Sequence, residues 1–129
     1  MRRLLLDTHT FLWWLSGDPS LGERARAAIA DPRNQVFVSA ATGWEIAIKQ
    51  AMGKLRIEDQ DLDSIVEEEG FNHLPMTFFH GTQAGALPQH HKDPFDRMRI
   101  AQAQAEGLTI LTADAEISKY GVHLQSARS

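Results

Sequence analysis

Apolar positions along this chain fall into short clusters of two kinds, and the two kinds alternate. Compact runs with strand character are Arg3–Leu6, Gln35–Val38, Phe71–Leu74 and Leu108–Leu111, with Val122–Leu124 as a candidate final edge strand. Between them lie segments with helical spacing: Thr8–Leu15, Ser20–Ala30, a helix from Ser39 to about Met52, Asp61–Glu69, Thr77–Ala86 and Pro94–Glu106, with Asp114–Lys119 as a last helical turn. The punctuation agrees with this reading. Ser39 suits an N-cap, Pro94 a first helical position, and Gly53, Gly70 and Gly107 stand where helices should stop. In the third helix Ala41, Trp44, Ile48 and Leu55 share a face, which predicts a buried stripe with Glu45 about 100° away at its edge. The alternation predicts a three-layer α/β/α sandwich around a central parallel sheet. No internal repeat, low-complexity tract or linker breaks it, so residues 1–129 read as one domain.

Composition narrows the field. With 43% hydrophobic and 23% charged residues the chain is ordinary globular material, neither disordered nor fibrous. The absence of cysteine removes disulfides, thiolate zinc sites and cysteine nucleophiles. The apolar run after Met1-Arg2-Arg3 is cut at Asp7, too early for a signal peptide, and Phe11–Leu15 is far too short to span a bilayer. The expectation is a soluble, cytoplasmic protein without a membrane partner. Seventeen acidic against thirteen basic side chains, a formal charge of −4, disfavour a broad basic nucleic-acid surface while leaving room for a local patch.

Ligand sites in open α/β sheets lie at the carboxyl ends of the strands, and acids collect there. Asp7 follows the first strand directly, and Asp114 follows the fourth. Asp96 opens the late helix behind Asp93-Pro94, and Glu45 lies mid-helix. Each has a bland explanation. Asp7, Asp93 and Asp114 make good N-caps, Asp96 complements a helix dipole, and Glu45 pairs with Lys49 at i, i+4 on an exposed face. The set is harder to dismiss. Two carboxylates about 5 Å apart repel by roughly 3 kcal/mol at an effective dielectric near 20, so four together demand a cation or raised pKa values. Oxygen-only ligands favour Mg²⁺ or Mn²⁺, whose chemistry is assisted phosphodiester hydrolysis. The pair His90/His91 raises zinc, but adjacent histidines point in different directions. Among the bases, those near Glu45 and Asp96 (Lys49, Arg97 and Arg99) are the candidates to meet a phosphate backbone.

Four segments carry a family likeness: Leu4-Leu5-Leu6-Asp7-Thr8-His9-Thr10-Phe11-Leu12-Trp13, Trp44-Glu45-Ile46-Ala47-Ile48-Lys49, Asp93-Pro94-Phe95-Asp96-Arg97 and Leu111-Thr112-Ala113-Asp114. In order and separation they resemble a PIN-domain ribonuclease of the VapC toxin type, over nearly the whole chain. The resemblance implies that Asp7, Glu45, Asp96 and Asp114 form a catalytic and metal-holding quartet, with Thr8, Asp93 and Thr112 as possible secondary site residues. It implies an Mg²⁺- or Mn²⁺-dependent endoribonuclease, the toxin of a type II toxin–antitoxin pair, acting on RNA. It also implies a homodimer, a small cognate antitoxin that blocks the site in a larger hetero-oligomer, and DNA contact only through that antitoxin. Arg99 departs from the pattern, standing where relatives usually carry an aliphatic residue; if buried there it needs a partner. Two rivals remain: a catalytically silent PIN-like adaptor or acidic regulatory module, and a haloacid-dehalogenase-like phosphatase, which would want a second Asp where His9 stands.

Overall fold

A computed structural model describes residues 1–58 and 60–129. Five strands, β1 (Arg3–Leu6), β2 (Gln35–Ser39), β3 (Asn72–Leu74), β4 (Thr109–Thr112) and β5 (Leu124–Ser126), form one sheet in the order β3-β2-β1-β4-β5, with every pairing parallel. Among the described residues six α-helices connect them: α1 (Thr8–Ser16), α2 (Glu23–Ala30), α3 (Ala40–Ala51), α4 (Leu62–Glu68), α5 (Phe78–Ala86) and α6 (Pro94–Glu106), with a 3₁₀ segment at Ala115–Tyr120.

The leucine run explains why β1 is central. A strand turns successive side chains to opposite faces, so a strand covered on both sides must be apolar at every position. Leu4 and Leu6 enter one core with Val36, Val38, Phe11, Ile29 and Val66, whereas Leu5 enters the other with Ile100, Ile110 and Tyr120. All three leucines are fully buried, each stabilising the fold by about 1.5–3 kcal/mol relative to exposure. The first core is roofed by α1, α2 and α4, the second by α6 and the 3₁₀ segment, which is the expected α/β/α sandwich.

Several boundaries move by a few residues. The last strand is Leu124–Ser126 rather than Val122–Leu124 because its register sets Ile110 against Leu124 and Thr112 against Ser126, and seats Ala127 in the first core. The helix expected from Ser20 begins at Glu23, after an N-cap at Gly22. There the backbone of Arg128 and Ser129 passes so close that a Cβ on Gly22 would lie 2.2 Å from the Ser129 carbonyl carbon. The tail is held by Gly22 N–H donating to Ala127 O (2.9 Å) and Arg24 N–H to Ser129 O (2.8 Å).

The buried face of α3 differs from the expected one. Ala41, Thr42, Glu45 and Ile46 point inward, whereas Trp44 is 55% exposed and meets Phe95 edge-on with ring centroids 5.0 Å apart. This helix contacts both α1 and α6, and its inward stripe is partly polar because side chains from those helices satisfy it.

Candidate metal centre

Strand order reverses between β1 and β4: the chain steps from β1 out to β3, then returns to the other side of β1. The crevice at the carboxyl ends of two such strands is the place where open α/β sheets build sites. Asp7 and Thr112 stand on its two sides.

Asp7 is buried and is the N-cap its position allowed. Its Oδ1 accepts from Thr10 N–H at 3.0 Å as the N-cap of α1, and its Oδ2 accepts from the Thr112 hydroxyl. The Thr112 Oγ1 in turn accepts from Asp114 N–H at 3.0 Å. One hydroxyl thus ties the acid after β1 to the acid after β4. Asp114 caps the 3₁₀ segment through Oδ1, which accepts from Glu116 N–H at 2.9 Å, leaving Oδ2 turned into the site. Asp93 is a structural cap for α6, its Oδ1 accepting from Phe95 N–H (2.8 Å) and Asp96 N–H (3.2 Å) ahead of Pro94 at the first turn.

Glu45 belongs to the same cluster but is heavily engaged. Its Oε1 accepts from the Thr8 hydroxyl at 2.6 Å and from Arg99 Nη1 at 3.0 Å, and its Oε2 from Lys49 Nζ at 2.7 Å. The expected Glu45–Lys49 pair is therefore present, though on a buried carboxylate rather than an exposed face. Burial raises the Glu45 carboxyl, but the hydrogen bonds from Lys49 and Thr8 and the charge of Arg99 outweigh it and hold the pKa below the usual value.

Arg99, the departure in the sequence, is the hub of this side. It is 3% exposed, and its Nη1 donates to Glu45, to Thr8 Oγ1 (3.1 Å) and to Thr42 Oγ1 (3.2 Å), while Nη2 donates to Asp96 Oδ1 at 2.7 Å. Burial works against its charge, yet Asp96, Glu45 and Asp7 more than compensate and raise its pKa. Asp96 moves the other way: burial pushes its carboxyl up, Arg99 pulls it down, and Asp93 adds to the rise, leaving the pKa above the ordinary value.

His91 is the site residue that the sequence reading passed over. Its Nε2 lies 2.9 Å from Asp114 Oδ2 and 3.1 Å from Asp96 Oδ2. Burial lowers its pKa, but the Asp114 hydrogen bond and the surrounding carboxylates prevail and raise it. The Nδ1 accepts from Asp93 N–H at 3.1 Å, so the network assigns the ring proton to Nε2. His90 turns away and packs edge-on against Tyr120, as adjacent histidines should. The signal available in the sequence was the spacing His91-x-Asp93-x-x-Asp96, in which a ring can accept from the N-cap amide and reach the first helical turn.

Two of the anticipated phosphate contacts are otherwise committed. Arg97 is buried, donating from Nη1 to Pro88 O (2.9 Å) and His91 O (3.3 Å) and from Nη2 to Ala84 O (2.9 Å) and Leu87 O (3.0 Å). It fastens the end of α5 and the His-rich loop onto α6. Arg99 is enclosed by the acids, and Lys49 is the one of the three bases with a partly exposed side chain.

The donor set fits a hard divalent cation. Ligand atoms of His91, Asp96 and Asp114 all lie within 4.8 Å of one another, and Asp7 is tied to Asp114 through Thr112. Ligation by His91 Nε2 would require moving the ring proton to Nδ1, against the Asp93 amide, so the carboxylates are the ready donors. Oxygen donors of this kind suit Mg²⁺ or Mn²⁺ rather than zinc. Asp7, Glu45, Asp93, Asp96 and Asp114, if ionised, outnumber the neighbouring cations Lys49 and Arg99 by three charges.

Fold and site together define an α/β protein with a carboxylate centre at the switch point of its sheet. The chain belongs to the PIN domain family, which matches residues 4–122. Three solved structures share the fold at low identity. One, VapBC2 from Rickettsia felis bound to a promoter DNA fragment, matches with a TM-score of 0.70 at 14% identity, covering 96% of this chain and 98% of that one. The DNA-bound VapBC of Salmonella typhimurium matches at 0.67 and 18% identity, covering 98% of each chain. VapBC-1 from nontypeable Haemophilus influenzae matches at 0.62 and 15%, covering 98% and 99%. A comparison with curated proteins gives no significant match.

Proposed function

We propose that this PIN-domain chain is a VapC-type toxin: an Mg²⁺- or Mn²⁺-dependent endoribonuclease held in check by a cognate antitoxin. The observation that carries the reading is the convergence of Asp7, Asp96 and Asp114, drawn from three separate elements, on one crevice, with Asp96 and Asp114 presenting oxygens within 4.8 Å of each other. These three would hold the ion, with Glu45 the fourth acid of the site. When bound, such an ion supplies charge for the scissile phosphate and a more acidic water. The chain itself orients the ligands: Thr10 N–H and Thr112 fix Asp7, Thr112 fixes the Asp114 backbone, and Asp93 fixes the turn that carries Asp96. Lys49, partly exposed beside Glu45, is the cation placed to meet the RNA backbone. Hydrolysis would leave a 3′-hydroxyl and a 5′-phosphate.

Partners follow from the same reading. The structural neighbours named VapBC are toxin–antitoxin complexes, two of them on DNA, which supports an antitoxin partner and DNA contact through it. We place a homodimer, and a larger assembly with antitoxin, in the cytoplasm on the same grounds. Among the described residues no helix is long and apolar enough to cross a membrane.

The test is RNA cleavage by purified protein with Mg²⁺ or Mn²⁺, and growth arrest on induced expression. Chelation should abolish cleavage, and Asp7→Asn and Asp96→Asn should abolish both cleavage and arrest. Full activity in both variants would overturn the assignment. Metal binding without cleavage of any RNA class would favour a silent adaptor instead.

A further inference from the structure

We propose that Arg99 serves as a built-in cation on the Glu45 side of the site, so that the chain takes up one divalent ion, on the Asp96–Asp114 side, and Glu45 does not ligate it. This rests on the reading of the crevice as an Mg²⁺ or Mn²⁺ centre.

An arginine cannot lose its charge in a protein, and its planar fork suits two carboxylates at once. Here the fork is spread between Glu45 Oε1 (3.0 Å) and Asp96 Oδ1 (2.7 Å), on a side chain 3% exposed. Its Nε is buried without a partner, so the two Nη groups alone hold the head in place, and the acids decide where the charge sits. A carboxylate offers about four acceptor positions. Glu45 has three of them filled, by Thr8, Arg99 and Lys49. A divalent ion between Glu45 and Asp96 would have to lie against a full positive charge already fixed there.

The opposite side differs. Asp96 Oδ2 and Asp114 Oδ2 meet His91 Nε2, and the Arg99 bond to Asp96 goes to its other oxygen, Oδ1. That ring has its Nδ1 turned to the Asp93 amide and its Nε2 to the two carboxylates, and it sits on a loop rather than a helix, so it can yield to an ion. Arg99 therefore divides the cluster into a half satisfied by the protein's own cation and a half left to a metal. An aliphatic residue at this position would leave both halves short of charge.

Mn²⁺ titration of the full chain, with bound ions counted by calorimetry and electron paramagnetic resonance, tests this directly. The wild type should bind one ion. Asp114→Asn should weaken it by at least about tenfold, whereas Glu45→Gln, which removes a nearby charge but no ligand, should weaken it by no more than about threefold. A folded Arg99→Gln should gain a second, weaker ion. Two ions in the wild type, loss of the ion in Glu45→Gln, or a folded Arg99→Gln with one ion would each overturn the proposal while leaving the metal centre standing. No Mn²⁺ binding by the wild type would overturn both. If Arg99→Gln fails to fold, the wild-type count and the Glu45→Gln titration decide.

Discussion

Arg99 on α6 and Glu45 on α3 form an ion pair with 3.0 Å between Nη1 and Oε1, and neither side chain is more than 4% exposed. A pair so enclosed is costly to break from one side, because the remaining charge stays in the interior. Arg99→Met should therefore lose about 3 kcal/mol of folding stability in urea titrations. The double variant Arg99→Met/Glu45→Leu should lose clearly less than the two single changes added together. Strict additivity would show that the pair is not coupled.

Glu45 also gives folding a pH dependence of known sign. Its carboxyl is held below the ordinary 4.5, so the stability it contributes is fully present above that value and is lost as pH falls through its lower folded value. Wild type and Glu45→Gln should differ most in stability near neutral pH and converge in more acid solution. A gap that widens on acidification would contradict the assignment.

Thr112 joins two acids through one oxygen, donating to Asp7 and accepting from the Asp114 amide. Thr112→Val keeps the shape and removes both bonds. We expect a loss of about 1–3 kcal/mol by denaturant unfolding, since a buried carboxylate loses a donor. Mn²⁺ affinity should fall with it. Thr112→Ser should restore most of both, and equal behaviour of Val and Ser would remove Thr112 from the site.

Arg97 donates to four backbone carbonyls, at Ala84, Leu87, Pro88 and His91. Arg97→Lys retains the charge but cannot fork to four acceptors. Faster amide exchange across residues 84–92, with α2 unaffected, is the expected result. Uniform exchange in the two proteins would show that the loop is held by other means.

At Gly22 the obstacle is backbone, not a movable side chain. Gly22→Ala should displace residues 127–129, destabilise the fold by about 1–3 kcal/mol, and expose the amides of residue 22 and Arg24 to exchange. An unchanged melting temperature with protected amides would place the tail elsewhere in solution.

Much of this was legible in the sequence because the signals are local. Leu4–Leu6 announces a strand covered on both faces, and Asp93-Pro94 with Gly107 brackets α6 almost to the residue. That Asp7 and Asp114 lie at one edge could be anticipated because parallel pairing brings the ends of β1 and β4 together, whereas Asp96 arrives there on the first turn of α6. What resisted were choices settled by distant partners. Trp44 was expected on the buried stripe of α3, but the helix turned Thr42 and Glu45 inward because Thr8 and Arg99, remote in sequence, satisfy them. His91 looked like half of a histidine pair until the Asp93 amide fixed its ring. The register of β5 followed from Ala127 finding a place in the core, which no local pattern records.

Asp7 starts a helix and faces the site with the same carboxylate, and this governs how an inactive form of the protein should be made. Asp7→Ala would discard an N-cap worth about 1 kcal/mol along with the proposed ligand, so silence in that variant would mix loss of chemistry with loss of fold. Asp7→Asn keeps a capping oxygen. Asp96 carries no cap, since Asp93 performs that task for α6, but its Oδ1 accepts from the buried Arg99 Nη2 at 2.7 Å, so there too the Asn variant, which keeps an accepting oxygen, is the one with which to capture the proposed RNA substrate.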